Sequence, residues 1–223
     1  MHHISTRPKE CGYPSLNLAC IRNISYITIN DVEYQVLEAD HNLQTLRITR
    51  EDYFQEGLCP TKHVNTTLDT DLFVYGSNYN NLTLFYGCPA SITFPSPSGR
   101  FPCNSNGYSD DFVYTWLGSN NGSQAFSCQE SMVVPILSSL FDVRNIAKVQ
   151  SAIKDGFVVR WIAGIDDCVK CQISGGFCGY DWISKETTCY CRDQSCSNFV
   201  PDYNASSGMS KRFCYWHFLL IIT

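Results

Sequence analysis

Short runs rich in β-branched and aromatic residues recur along the first half of the chain. The runs at 24–29 and 33–37 flank Asn30 and Asp31, a pair that predicts a hairpin or another tight connection. A third run at 43–48 alternates imperfectly between apolar and polar residues. Together the three runs predict a small antiparallel sheet with one face toward solvent.

Turn and breaker residues divide the next part of the chain. The runs at 71–75 and 81–86 bracket a turn rich in glycine and asparagine, which predicts another hairpin. From 91 to 107 proline and glycine are so frequent that we expect an irregular loop held by Cys103 rather than by a backbone ladder. Pro135 lies inside the run at 131–137, so a strand there is expected to lie at a sheet edge or to end at the proline.

One helix is predicted, from about Val143 to Asp155. Its apolar residues approximate one stripe, with Asp142 as the expected N-cap and Gly156 as the expected stop. Strand character resumes at 157–162. The expected fold class is therefore disulfide-rich and mainly β, with small antiparallel sheets and one helix near 143–155; α+β is the alternative label.

Cysteine is the unusual component, at 13 of 223 residues. Cysteines spread over the whole length predict about six disulfides formed in an oxidising compartment. A zinc site is disfavoured because the pair Cys168-x2-Cys171 is followed by CxC rather than CxxC, with no histidine among them. The odd count leaves one thiol over, with Cys11, Cys20 or Cys214 as candidates. The expected disulfide residues are Cys11, Cys20, Cys59, Cys88, Cys103, Cys128, Cys168, Cys171, Cys178, Cys189, Cys191 and Cys196.

Five N-x-S/T sequons indicate the same compartment, since this motif is the acceptor for N-glycosylation of secreted proteins. Chance alone would supply about two or three of them, so they add weight only together with the cysteines. The candidate glycosylation sites are Asn23, Asn65, Asn81, Asn121 and Asn204.

Charge and the two ends narrow the classes of partner. A net charge of -5 argues against nucleic-acid binding. The start carries no signal-peptide pattern. The apolar run at 213–222 is about half the length that spans a bilayer, so it is a misread end, part of a membrane helix or a last buried strand. Membrane attachment is expected only through a transmembrane segment that this chain lacks.

Cys168-x2-Cys171, Ser-Gly-Gly-Phe-Cys-Gly-Tyr at 174–180 and Cys189-x-Cys191 resemble the C-terminal cysteine-rich module of plant wall-associated and leaf-rust-resistance-type receptor kinases. The segment from Cys11-Gly12 to Cys59-Pro60 is similar to the second half of the galacturonan-binding module of the same receptors. The resemblance divides the chain into a truncated galacturonan-binding-like module at 1–63, the cysteine-rich module at 64–200 and an irregular tail at 201–223.

The resemblance implies an extracellular or cell-surface glycoprotein that binds pectin or oligogalacturonide as part of a receptor-like kinase ectodomain. The alternatives are an ectodomain that binds a peptide or a co-receptor in defence or development signalling, and a truncated product without activity of its own. No metal and no cofactor is expected. No enzyme activity is expected either, because the sequence contains no kinase Gly-rich loop, H-R-D or D-F-G motif.

Uronate recognition requires cations for the carboxylates and aromatic faces for the sugar rings, and arginine provides bidentate pairing. No catalytic residue is expected: Glu51-Asp52 and Asp166-Asp167 are chain neighbours, whereas glycoside hydrolysis needs two carboxylates across a cleft. The candidate ligand-binding residues are Arg47, Arg50, Tyr13 and Tyr34, followed by Lys62, His63, Tyr53 and Phe54.

Overall fold

The computed structural model describes residues 13, 16–40, 43–103, 112–118, 127–137, 142–190 and 221–222. The chain forms two compact units, one of residues 28–161 and one that combines residues 1–27 with 162–223. The division by resemblance into 1–63, 64–200 and 201–223 stays a prediction.

The described residues contain thirteen strands and three helices. The strands are β1 (Asn17–Ile21), β2 (Ile24–Ile29), β3 (Val32–Asp40), β4 (Thr45–Arg50), β5 (Phe73–Tyr75), β6 (Tyr79–Tyr86), β7 (Ser98–Pro102), β8 (Phe112–Leu117), β9 (Glu130–Leu137), β10 (Phe157–Trp161), β11 (Phe177–Asp181), β12 (Glu186–Tyr190) and β13 (Ile221–Ile222). The helices are α1 (Glu51–Glu56), α2 (Ile146–Asp155) and α3 (Ile165–Ile173).

The unit of residues 28–161 contains two antiparallel sheets. The first runs β3-β4-β10-β5 and the second runs β7-β8-β6-β9. Helix α2 contacts both β4 of the first sheet and β9 of the second. Its Val149 and Ile153 are buried in one cluster with Leu84, Val113 and Val134 of the second sheet. The mainly β, disulfide-rich class predicted from the sequence is confirmed.

The turn between β2 and β3 and the end of α2 are where the sequence predicts them. Asn30 and Asp31 both have positive φ, 48° and 63°, as a two-residue type I′ turn requires. Gly156 ends α2 with φ 71°, and a Cβ there would lie 2.1 Å from the carbonyl oxygen of Ile48. Glycine is required at this position because the first sheet approaches the helix end so closely.

The helix begins later than the sequence predicts. Asn145 is the N-cap of α2, and its side chain accepts a hydrogen bond from the Lys148 N–H. Asp142 instead accepts from the Arg144 N–H and closes a separate turn. Val143 lies in that turn and is fully buried, so it is apolar because it belongs to the core and not because it lies on a helix.

Helices α1 and α3 were not predicted from the sequence.

Two expectations about strand pairing are wrong. The runs at 71–75 and 81–86 do not pair with each other, because β5 pairs with β10 and β6 pairs with β8 and β9. The breaker-rich segment at 91–107 contains a strand, β7, which pairs with β8. The edge position predicted for the strand that contains Pro135 is confirmed, since β9 ends the order of the second sheet.

The unit that combines 1–27 with 162–223 has a small cysteine-rich part. Helix α3 contacts the β11–β12 hairpin, and the disulfides Cys168–Cys178 and Cys171–Cys189 join them. In the same unit β1 pairs antiparallel with β2 and parallel with β13.

Within the described ranges, four disulfides join eight of the twelve expected cysteines. The unit of 28–161 contains Cys59–Cys103 and Cys88–Cys128, in addition to the two pairs beside α3. Cys20 carries a free, exposed thiol. The other cysteines, Cys11, Cys191, Cys196 and Cys214, lie outside the described residues.

We expect the double substitution Cys88→Ala with Cys128→Ala to lower the free energy of unfolding by about 2–5 kcal/mol, because the bridge restricts the unfolded chain. Urea unfolding under non-reducing conditions measures the change. Cys20→Ser is the matched control and should leave the midpoint unchanged, since that thiol is free and exposed. Equal midpoints for the double variant and the control would contradict a stabilising role for this bridge.

Candidate functional site

Arg50 is a buried structural cation rather than a surface ligand-binding residue. Its side chain is 1% exposed, and its Nε and Nη2 donate to the two carboxylate oxygens of Asp52 at 3.0 and 2.5 Å. Its Nη1 donates to the Val64 carbonyl and, at 3.2 Å, to Thr66 Oγ1. These bonds satisfy a charge that would otherwise be costly to bury.

Segment 61–67 is held against the molecule by this cation and by the edge strand β9. The Thr66 N–H donates to the Val133 carbonyl at 3.3 Å, and the Val133 N–H donates to Asn65 Oδ1 at 3.0 Å. His63 Nδ1 pairs with Glu130 of β9, and its ring stacks on Tyr86 at 4.1 Å between centroids. Segment 61–67 is therefore a fixed part of the fold.

Burial shifts the ionisation of the groups around Arg50. Burial opposes the charge of Arg50, but the hydrogen bond and the charge of Asp52 raise its pKa above the usual value. Burial raises the pKa of Tyr53 and of Tyr86, whose hydroxyls lie 3.3 Å apart. Tyr86 donates onward to the Leu58 carbonyl at 2.9 Å. The phenols are neutral and the guanidinium is charged at any physiological pH.

The other primary candidates also have structural surroundings. Tyr34 is fully buried, meets Phe157 edge-on at 6.1 Å, and has its pKa raised by burial to about 12. Arg47 is half-buried, with Nε 3.2 Å from a Glu38 carboxylate oxygen and Nη1 3.1 Å from the Asp155 carbonyl. Tyr13 belongs to the other unit, where its ring meets that of Tyr180 at 5.1 Å.

Of the secondary candidates, Tyr53 lies beside Arg50, whose guanidinium carbon is 4.9 Å from its ring centroid, whereas Lys62 and Phe54 have other surroundings. Tyr53 is buried, Lys62 is exposed, and Phe54 lies 5.2 Å from the Lys154 ammonium. The structure therefore does not bring the predicted residues together on one surface.

An aromatic cluster that was not predicted from the sequence lies on the second sheet, with Phe85 and Tyr114 buried and Phe94, Phe112 and Trp116 half-buried. Phe112, Tyr114 and Trp116 alternate along β8, so they share the face opposite to the buried Val113. Phe85 of β6 lies opposite Tyr114 on this face. Phe94 packs on both, with ring centroids 4.9 Å from Phe85 and 5.0 Å from Tyr114. We call this surface, with Arg100, the outer face.

Arg100 adds a positive charge to the outer face. It lies on β7 opposite Tyr114, and its guanidinium carbon is 3.6 Å from the Phe112 ring centroid and 5.6 Å from that of Tyr114. Stacking of this kind contributes about 0.5–1 kcal/mol at an exposed site and fixes the plane of the guanidinium. The residue is exposed, and its oriented guanidinium lies beside the half-buried Phe112 ring and the buried Tyr114 ring.

The outer face has the chemistry for a negatively charged, ring-containing ligand. A guanidinium pairs with a carboxylate through two parallel hydrogen bonds, and aromatic faces pack on apolar ring surfaces. The alternation of three aromatic residues at 112, 114 and 116 was the available sequence signal. Arg100 was not recognisable because its segment reads as an irregular loop.

The adjacent carboxylates have other partners. Glu51 accepts from the Gln35 amide at 2.5 Å, and Asp52 pairs with Arg50. Asp167 lies 3.6 Å from the Lys170 ammonium on α3.

Across the described ranges, no group of three or more metal-ligating side chains comes together. In the same part of the chain, no helix is long and apolar enough to cross a bilayer.

We expect Arg50→Met to lower the free energy of unfolding by about 3–5 kcal/mol, because it leaves the Val64 carbonyl, the buried Thr66 hydroxyl and the partly exposed Asp52 carboxylate without their shared donor. Arg47→Met is the matched control, and its half-exposed pair with Glu38 should be worth less than about 1 kcal/mol. Chemical denaturation of both variants measures the difference. Similar losses for the two would contradict the structural role of Arg50.

Comparison with known sequences finds a family match for part of the chain. Residues 102–194 match the family described as wall-associated receptor kinase C-terminal. The match includes β8 of the outer face, helix α2 and the cysteine-rich part around α3. No solved structure matches the chain significantly.

Curated relatives cover more of the chain. The leaf rust 10 disease-resistance locus receptor-like protein kinase-like 1.3 of Arabidopsis thaliana is 28% identical over 217 residues, which are 92% of this chain and 30% of that protein. The kinase-like 2.4 relative from the same plant is 30% identical over 188 residues, 82% of this chain and 29% of that protein. The chain thus spans less than a third of the length of these relatives.

The relatives are receptor-like kinases, whereas this chain corresponds to their ectodomain region, and no catalytic domain is evident among the described residues. The disulfide-rich β fold agrees with that assignment. The chain is a protein of the receptor-like kinase ectodomain type, and its residues 102–194 match the model of the wall-associated receptor kinase C-terminal family.

Proposed function

We propose that the chain binds pectin or oligogalacturonide outside the cell, as the ligand-binding part of a cell-surface receptor-like kinase. The observation that carries the proposal is Arg100 stacked on Phe112 beside Tyr114 on the outer face. The surface combines the two requirements of uronate recognition, a cation for the carboxylate and aromatic rings for the sugar.

Local charge matters because the whole chain is acidic, with a net charge of -5. A polyanion is repelled by such a protein at long range, so binding requires a local cation whose orientation is fixed before the ligand arrives. Aromatic stacking provides that orientation for Arg100. Binding of this kind weakens as salt is added, since exposed charge pairs are screened.

The oxidised state of the chain supports an extracellular location. Four disulfides among the described residues are typical of secreted domains and rare in the cytosol.

A second candidate function is binding of a peptide or a co-receptor. The unit that combines 1–27 with 162–223 exposes large apolar side chains, with Ile173 82%, Ile183 89% and Trp182 44% exposed. Large apolar side chains at the surface favour a protein partner over a polyanion. The two functions differ in their dependence on Arg100.

We expect Arg100→Ala to weaken binding of a defined oligogalacturonide by about 10- to 100-fold, the range for loss of a charge-assisted hydrogen bond. Titration calorimetry on the secreted chain, with a neutral oligosaccharide in parallel, measures the effect. Arg160→Ala is the matched control, because Arg160 is exposed in the same unit but lies on β10 of the first sheet.

Two results would count against the proposal. Equal affinities for the two arginine variants would remove the outer face as the site. An unmodified chain that binds neither oligogalacturonide nor the neutral sugar would refute polysaccharide binding and favour the protein-partner function.

A further inference from the structure

The sequon at Asn81 lies within the second sheet. Strand β6 pairs with β8 on one side and β9 on the other, and Asn81 lies opposite Pro135 of β9. Side chains alternate along a strand, so Asn81 points to the same side as Phe85, which is part of the outer face. Asn81 is half-buried there.

The indole ring of Trp116 lies over Gly118, which is the neighbour of Asn81 on the adjacent chain segment. The Gly118 N–H donates to the Asn81 carbonyl at 2.7 Å, which places Gly118 beside Asn81 at the end of β8. A Cβ on Gly118 would lie 2.8 Å from the Trp116 ring, so the indole lies over this glycine. Cross-strand neighbours have Cβ positions about 5 Å apart. The half-buried Trp116 ring therefore lies within reach of a group attached to Asn81.

A second ring lies on the same side of β6. Tyr79 precedes Asn81 by two residues, which puts both side chains on one face of the strand. The Tyr79 ring is held by stacking on Tyr75, with centroids 4.6 Å apart. Asn81 thus has one aromatic residue two positions earlier on its own strand and another on the neighbouring strand β8.

We propose that Asn81 is N-glycosylated and that its first N-acetylglucosamine packs against Trp116 and Tyr79. The flat side of this sugar carries C–H groups, and burying them on an aromatic ring is favourable for the same reason as other apolar contacts. The glycan would then be a structural part of the second sheet. The inference does not rest on the pectin-binding function, although the sugar would share Trp116 of the outer face.

The sugar is transferred to Asn81 from a lipid-linked oligosaccharide pyrophosphate. A bond forms between Asn81 Nδ2 and the anomeric carbon, and the bond from that carbon to the pyrophosphate oxygen breaks. Nδ2 loses one proton, and the lipid pyrophosphate leaves with the electron pair. No electrons are gained or lost overall.

The fold also dictates when the attachment occurs. Thr83, the hydroxyl residue of the sequon, is fully buried and its hydroxyl donates to the Gly118 carbonyl. A transferase must recognise both Asn81 and Thr83, so the sugar is added before β6 pairs with β8. The added sugar then meets the rings as the sheet forms.

The other two sequons in the described ranges differ in their surroundings. Asn23 lies in the exposed turn between β1 and β2, with φ 65°. Asn65 is exposed, and its side-chain oxygen accepts from the Val133 N–H. Asn23 is the suitable comparison, because a glycan on an exposed hairpin turn is not expected to pack on the sheet.

The test uses the full chain secreted from eukaryotic cells behind a secretion leader. Glycopeptide mass spectrometry determines whether Asn81 carries a sugar. An endoglycosidase that leaves one N-acetylglucosamine should keep the melting temperature of the intact glycoprotein. Asn81→Gln should lower it by about 2–4 °C, a shift typical of losing one modest contact in a domain of this size. Asn23→Gln should leave it unchanged.

A double-mutant comparison separates the sugar contact from an effect of the amide. In a Trp116→Leu background, loss of the Asn81 glycan should lower the melting temperature clearly less than it does in the chain that keeps Trp116. Asn81→Asp produced enzymatically from the glycoprotein gives a second route to the sugar-free chain. An unoccupied Asn81, or an equal shift with and without Trp116, would overturn the inference.

Discussion

A buried positive charge, Arg50, connects the parts of the larger unit that the hydrophobic core alone does not fix. Its guanidinium joins the end of β4 to Asp52 at the start of α1 and to the backbone at Val64. Segment 61–67 is thereby positioned along β9, and His63 is placed on Tyr86. Because an uncompensated charge in the interior is so unfavourable, these elements are restricted to the arrangement that satisfies it.

Local pattern was sufficient to predict most strands but not their partners. The runs that became β2, β6, β9 and β10 are rich in β-branched and aromatic residues, a preference that acts within a few residues. Pairing depends on contacts between distant segments, so the neighbouring β5 and β6 read as a hairpin although they pair with β10 and β8. The predicted helix start was too early, because Val143 is buried in the core before the helix begins. The helix starts after Asn145, whose side chain caps it.

Residue type identified ligand candidates poorly because exposure is not visible in one dimension. Arg50 and Tyr34 have the chemistry of a binding site, but the fold uses both inside the molecule. Arg100 was hidden in a breaker-rich segment, although the alternating aromatics of β8 marked the face on which it lies. An arginine becomes informative when the strand beside it carries rings on the same face.

The contacts at Val133 have a consequence for behaviour at high concentration. Both hydrogen-bonding groups of this residue on the open side of β9 are used, by Asn65 and Thr66, and Pro135 has no N–H to offer. A second molecule that approached this border would find few groups with which to extend the sheet. The larger unit is thus protected on this side against edge-to-edge polymerisation, which favours solubility at high protein concentration.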